Sequence, residues 1–144
     1  MPDDTDPFDL LRFVRAQERV YADVVAELTA GCKKTHWMWF VFPQLTGLGR
    51  SATALKYGIG SGEEALAFLD HALLGSRLIE CTHIVGRHAP RRVDTIFGYP
   101  DTLKFRSSMT LFDAVSPDEQ VFGQMLDTFF DGERDGPTLA LLAR

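Results

Sequence analysis

Apolar residues recur at helical spacing from the first turns of the chain. Leu10, Val14, Gln17, Tyr21, Val24 and Leu28 follow at intervals of 4, 3, 4, 3 and 4, the stripe of an amphipathic helix face that the polar Gln17 interrupts. Asp6-Pro7 offers an N-cap with proline at the first helical position, and Gly31 offers a stop. The pattern therefore predicts a helix over this stretch, continuous or broken near Gln17-Glu18. Ser61-Gly62-Glu63-Glu64 reads as a capping box opening a helix that carries Leu66, Phe68, Leu69 and Leu73. After Gly75 a further helix is expected through Leu78, Ile79, Thr82, His83 and Val85. Asp101, after Pro100, is the expected N-cap of a helix containing Leu103, Met109, Leu111 and Phe112. Ser116-Pro117-Asp118-Glu119 combines capping box and N1 proline. Val121, Phe122, Met125, Leu126, Phe129 and Phe130 then mark one buried face. A last short helix is expected from Pro137, packing Leu139 and Leu142. These elements predict an all-α fold, a compact bundle of about six to eight helices. The chain reads as a single domain over 1–144, with 1–6 as a flexible tail.

One segment does not declare its element. His36-Trp37-Met38-Trp39-Phe40-Val41-Phe42-Pro43-Gln44 holds both tryptophans of the chain and two of its eleven phenylalanines. Its apolar area must be buried, yet His36, two indole N–H groups and the Gln44 amide all need partners once buried. It has the apolar, bulky character of a buried strand and equally of a buried helix. Thr35 is the candidate cap of a helix beginning at His36, and Pro43 would end it. Gly47-Leu48-Gly49-Arg50-Ser51-Ala52 then matches a dinucleotide fingerprint nominally, but no βαβ periodicity surrounds it. A glycine-rich turn into a helix remains a means of offering backbone N–H groups to an anion.

Composition narrows the class. The chain has 144 residues, 45% apolar and 24% charged, which is ordinary for a soluble globular protein. No apolar run reaches the ~18–20 residues of a membrane span. The acidic start lacks the order of a secretion signal, and Cys32 and Cys81 make no disulfide framework. A reduced, cytoplasmic protein with no membrane contact is expected. The net charge of −5 is uneven. Residues 1–27 hold seven acids and three bases, and 111–144 hold seven acids and two bases, whereas 28–110 hold ten bases and six acids. No acid lies between Glu27 and Glu63, where Lys33, Lys34, Arg50 and Lys56 sit. This is either a solvated face or a site for an anionic small molecule; the acidic whole argues against duplex nucleic acid.

The same residues carry a resemblance. Arg12-Phe13, Ala16-Gln17, Lys33, the nine residues from His36 to Gln44, Gly47-Leu48-Gly49 and Ser51 resemble a bacterial family known as domain of unknown function 1810. The likeness continues through Glu64-Ala65, Phe68-Leu69, His71, Leu74-Gly75 and Arg77-Leu78. It resumes at Phe97-Gly98, Asp101, Lys104 and Ser107-Ser108-Met109-Thr110-Leu111-Phe112, and ends with Gly132, Asp135 and Thr138-Leu139. It implies a multihelical fold and no established reaction. Members are often labelled calpastatin, but this chain has none of the repetitive, proline-rich character of such an inhibitor. Ala72 stands where many relatives have proline after the histidine.

The candidate chemistry gathers on these motifs. On the helix from Asp101, Lys104 and Ser108 lie at i, i+4, with Ser107 and Thr110 beside them, a polar face that suits a phosphate or carboxylate. Against this stands a structural reading in which Asp101 caps, Lys104 pairs with an acid and the serines pack tightly. His36 is a core histidine or a ligand contact. His71 is expected near a helix C-terminus, where the dipole favours it. Gln17 bonds a neighbouring backbone group or a ligand. His83 and His88, among Arg87, Arg91 and Arg92, read as surface. No metal-site spacing, cofactor motif or nucleophile signature is present, so neither metal nor cofactor is expected. Two functions compete. In the first, the protein binds, or acts on, an anionic or phosphorylated small molecule or nucleotide. His36, Trp39 and Gln44 form one wall, Arg77, Lys104 and Ser108 the other, and an aromatic surface stacks a ring; Arg50 and Ser51 are secondary contacts with Lys33, Lys34 and Gln17. In the second, the motifs only specify the core of an interaction module.

Overall fold

In the computed structural model, which describes residues 5–144, the chain folds into ten helices. They are α1 (Leu11–Glu18), α2 (Tyr21–Ala30), α3 (Met38–Val41), α4 (Ala52–Tyr57), α5 (Gly62–Asp70), α6 (Ala72–Gly86), α7 (Val93–Phe97), α8 (Asp101–Val115), α9 (Gln120–Phe130) and α10 (Gly136–Leu142). Among the described residues there is no strand, only an isolated parallel bridge between Leu45 and Ile59. The count exceeds six to eight for three local reasons. The first predicted helix breaks at Arg19-Val20, next to the anticipated Gln17-Glu18. The short α4 after the glycine turn and the short α7 have no sequence periodicity to announce them.

α8 is the axis of the fold. Every residue from Ser107 to Phe112 is buried, so the middle of this helix is enclosed on all sides rather than along one stripe. It packs against α9, α5, α10, α7 and α3. That explains a polar string inside an apolar core. Ser107 donates to Asp135 at 3.0 Å, and the Thr110 hydroxyl donates to the Arg106 carbonyl while accepting from the Asp135 amide. Both residues hold the start of α10, where Asp135 caps Thr138. The Ser108 hydroxyl is buried without a hydrogen-bond partner.

The aromatic segment supplies the core with two of its anchors. Trp37 and Phe42 are 1% exposed. Phe42 meets Phe97 and Phe105 edge-on at 5.9 and 5.1 Å, a favoured arrangement for ring quadrupoles. A second run links Phe13, Phe68, Phe112 and Phe122 through α1, α5, α8 and α9.

Several expected starts and stops move. Asp6 does take backbone donors, from Leu10 and Leu11, but α1 begins only at Leu11, after a turn. Of the expected 1–6 tail, residues 1–4 lie outside the described residues. Thr35 does not cap α3. Its hydroxyl donates to Glu27, and the helix starts at Met38. Ser61 caps α5 as expected, with the Glu64 carboxylate reaching back to the Gly60 amide. Gly75 lies inside α6, not before it. Asp101 is the first residue of α8 and makes no cap, because its carboxylate is taken by lysines. Ser116 to Glu119 forms a turn closed by a 3.0 Å bond from the Glu119 amide, so α9 starts at Gln120. In α10 the buried residue is Thr138, and Leu139 is exposed.

Candidate functional site: a cleft between α3 and α8

α3 is one turn long, and a single turn points successive side chains in different directions. Trp37, Met38, Val41 and Phe42 go to the core, while Trp39 and Phe40 stay half-buried. Gln17 fixes this turn: its amide, 1% exposed, donates to the Phe40 carbonyl at 2.7 Å. Gln17 is thus a backbone clamp rather than a contact for a ligand. Pro43 then ends the helix and carries the chain past Gln44 into the glycine turn.

Facing this turn is the first half of α8. A narrow crevice of about 10 Å³, room for roughly one water, lies between Trp39, Gln44, Ala54, Tyr57, Gly58 and Lys104. Next to it an outer groove of about 310 Å³ is lined by Gln44, Gly49, Leu103, Lys104, Ser107 and Asp135. Gln44 and Lys104 border both spaces. The Lys104 ammonium lies 4.7 Å from the centroid of the Trp39 ring, and its ion pair with Asp101 is long, 3.7 Å. Among the described residues neither the Trp39 indole N–H nor the Gln44 side-chain amide makes a hydrogen bond. The Asp135 carboxylate is different: its Oδ2 accepts from Ser107, the Thr138 amide and the Thr138 hydroxyl.

Behind the cleft a network of charges holds the segment in place. Lys33 pairs with Asp101 at 2.8 Å, donates to the Thr35 carbonyl at 2.6 Å and lies 5.0 Å from the Trp37 ring. Its side chain is 6% exposed. The Glu27 carboxylate accepts from the Lys34 and Thr35 amides, the Thr35 hydroxyl and the Trp37 indole. Partial burial by itself would raise the pKa of Glu27, but these donors outweigh it and bring the carboxyl down to about 2.

Trp39, Gln44 and Lys104 therefore come together, and other predicted members of the site do not. His36 is exposed and lines neither space. The single turn of α3 starts two residues later, so the histidine is left outside it. Arg77 bonds Gln17 at 3.3 Å and stacks on Tyr21 at 4.3 Å, on the α1–α2–α6 side of the molecule. There burial and a hydrogen bond to Glu80 push the Tyr21 hydroxyl upward, and burial raises the Cys81 thiol to about 12, so both stay protonated. Ser108 and Thr110 are enclosed in the core. His71 does close a helix C-terminus, that of α5, but its side chain is turned to the next helix. It caps α6, its Nδ1 accepting from the Leu73 and Leu74 amides. His88 is half-buried rather than a surface residue, with Nε2 2.6 Å from the Leu28 carbonyl. Ser51 caps the short α4 with its own hydroxyl, and Lys34 and Arg50 are exposed. The backbone donors expected for an anion at that turn are in part already used.

The sequence reading missed Tyr57, Gly58 and Asp135. Only Asp135 carried a signal, an aspartate just before Gly136-Pro137-Thr138, a cap-and-proline helix start. Among the described residues no group of three or more His, Cys, Asp or Glu is placed to hold a metal ion. Nor is any helix long and apolar enough to cross a membrane.

The chain belongs to the family described as Protein of unknown function (DUF1810), whose model matches residues 7–142. Among solved structures it is similar to the conserved hypothetical protein Rv1873 from Mycobacterium tuberculosis. The two share 55% identity at a TM-score of 0.95, over 96% of this chain and 99% of the other. No curated protein matches it.

Proposed function

We propose that this protein binds an anionic or phosphorylated small molecule in the cleft between the His36–Gln44 segment and α8. One observation carries the reading. Three donor groups without a hydrogen bond of their own among the described residues, the Trp39 indole N–H, the Gln44 amide and the Lys104 ammonium, line one crevice. All three residues are half-buried, so these donors face the cleft and are open to solvent or to a ligand. The indole N–H, the amide NH2 and the ammonium are all donors that suit an acceptor-rich ligand, and Lys104 favours one of negative sign. The groove outside the crevice, about 310 Å³, falls in the range of small-molecule sites.

Calorimetric titration with pyrophosphate and a panel of phosphorylated and carboxylated metabolites tests this. The wild type should bind at least one of them, and Lys104→Met should weaken that binding by about 10- to 100-fold, the worth of a charge-assisted hydrogen bond. His36→Ala, although next to the tryptophans, should change neither binding nor melting temperature. Absence of binding across the panel, or an undiminished affinity in Lys104→Met, would overturn the reading.

A further inference from the structure

The two tryptophans of the segment each carry a lysine on the ring, and both lysines share Asp101. The pairs are otherwise unlike. In the Trp37–Lys33 pair every group is engaged: the indole donates to Glu27, and the ammonium holds Asp101 at 2.8 Å and the Thr35 carbonyl at 2.6 Å. In the Trp39–Lys104 pair the indole N–H makes no hydrogen bond among the described residues. The ammonium has only a 3.7 Å contact there, to the second oxygen of the aspartate that Lys33 holds closely, and the lysine side chain is 24% exposed. The first pair is a fixed part of the fold. The second is loosely held at the boundary between crevice and groove.

From this contrast, and resting on the cleft reading above, we infer that the ligand is an aromatic ring bearing an anionic group, of the nucleotide class, and that it enters by exchange with Lys104. The ammonium, 4.7 Å from the Trp39 centroid, occupies the position in which a second ring would stack. The crevice beside it has only about 10 Å³ free, so no ring fits while Lys104 stays. Because Lys104 and Gln44 border both spaces, swinging the lysine outward joins the crevice to the groove of about 310 Å³. A lysine side chain has the freedom to do this, and an anion in the groove gives its charge somewhere to go. The ring then covers the indole face that the ammonium leaves. Asp135, whose Oδ2 takes three donors while Oδ1 takes none, faces the same groove and offers an acceptor to ligand hydroxyl groups. Lys104 is thus both receptor for the anion and occupant of the ring site, and Lys33 with Asp101 are positioning residues that keep it there in the free protein.

Three probes separate the parts: adenosine 5′-monophosphate, adenosine and ribose 5-phosphate, followed by tryptophan emission and calorimetry. The monophosphate should bind at least tenfold tighter than either fragment and change an emission signal that is lost in Trp39→Phe. In Lys104→Ala the monophosphate should bind at least tenfold more weakly, while adenosine binds more tightly than to the wild type, since nothing has to be displaced. Equal binding of monophosphate and ribose 5-phosphate without a Trp39 signal would overturn the exchange and leave an anion site standing. So would failure of all three probes in a protein that binds pyrophosphate, or adenosine binding unimproved by Lys104→Ala. Failure with every anion tried would remove the cleft reading as well.

Discussion

Glu27 shows how much of the segment depends on one side chain. Its carboxylate ties the end of α2 to Lys34, Thr35 and Trp37, and so sets where the aromatic turn begins. A carboxyl lowered from 4.5 to about 2 by such bonds stabilises the fold fully above its unfolded value and loses that contribution as pH falls through the folded one. Glu27→Gln should therefore be clearly less stable than the wild type in urea at pH 6. The difference should shrink towards zero as pH falls from about 4.5 to about 2. A difference independent of pH would show that the carboxylate charge is not what holds the segment. At this scale the sequence was partly legible. That Trp37 and Gln17 would need buried partners follows from their chemistry, and both have them. Which partner each one finds does not follow, because Glu27 and Phe40 are brought near only by the chain reversal after Gly31.

Among the elements, the α5–α6 junction is the most demanding. His71 ends one helix and caps the next, and Gly75 lies so close to α5 that an added Cβ would run into the Leu69 carbonyl oxygen. That oxygen belongs to backbone and cannot rotate away. Gly75→Ala should cost about 2–3 kcal/mol, as overpacking against a fixed group does, read as a lower urea midpoint at unchanged slope. A cost below about 0.5 kcal/mol, the level of an ordinary surface change, would mean that the helices separate freely. Ala72 occupies the first position of α6, a place that tolerates proline as well as alanine. Helices with one apolar face and a Ser cap were readable from the chain, as α5 shows. The junctions were not. Histidine is a rare cap, Gly75 is needed for space rather than for a turn, and Asp101 looks like a cap but is drawn off by Lys33. The helix α8 misleads for a related reason: enclosed on every side from Ser107 to Phe112, its middle shows no amphipathic stripe, and its polar string serves the start of α10.

For the whole molecule, the aromatic segment divides between two jobs. Trp37 and Phe42 fasten the core, and Trp39, with Gln44 and Lys104, opens onto a cleft. The acid-free stretch of the sequence and α8 do meet at this cleft, through Gln44 and Lys104. Of the other candidates, Ser108 and Thr110 are buried in the core, Arg77 bonds Gln17 on the far side, and His36 is exposed outside the cleft. The central claim is that the free donors of the cleft are there to be used by an anion. The chain has two tryptophans, hence two indole N–H signals in a proton–nitrogen correlation spectrum. The Trp37 signal is tied to Glu27 by a 3.0 Å bond and should stay in place as pyrophosphate is added, while the Trp39 signal shifts with saturation. Two indole signals that both stay fixed, or that move together, would contradict the account.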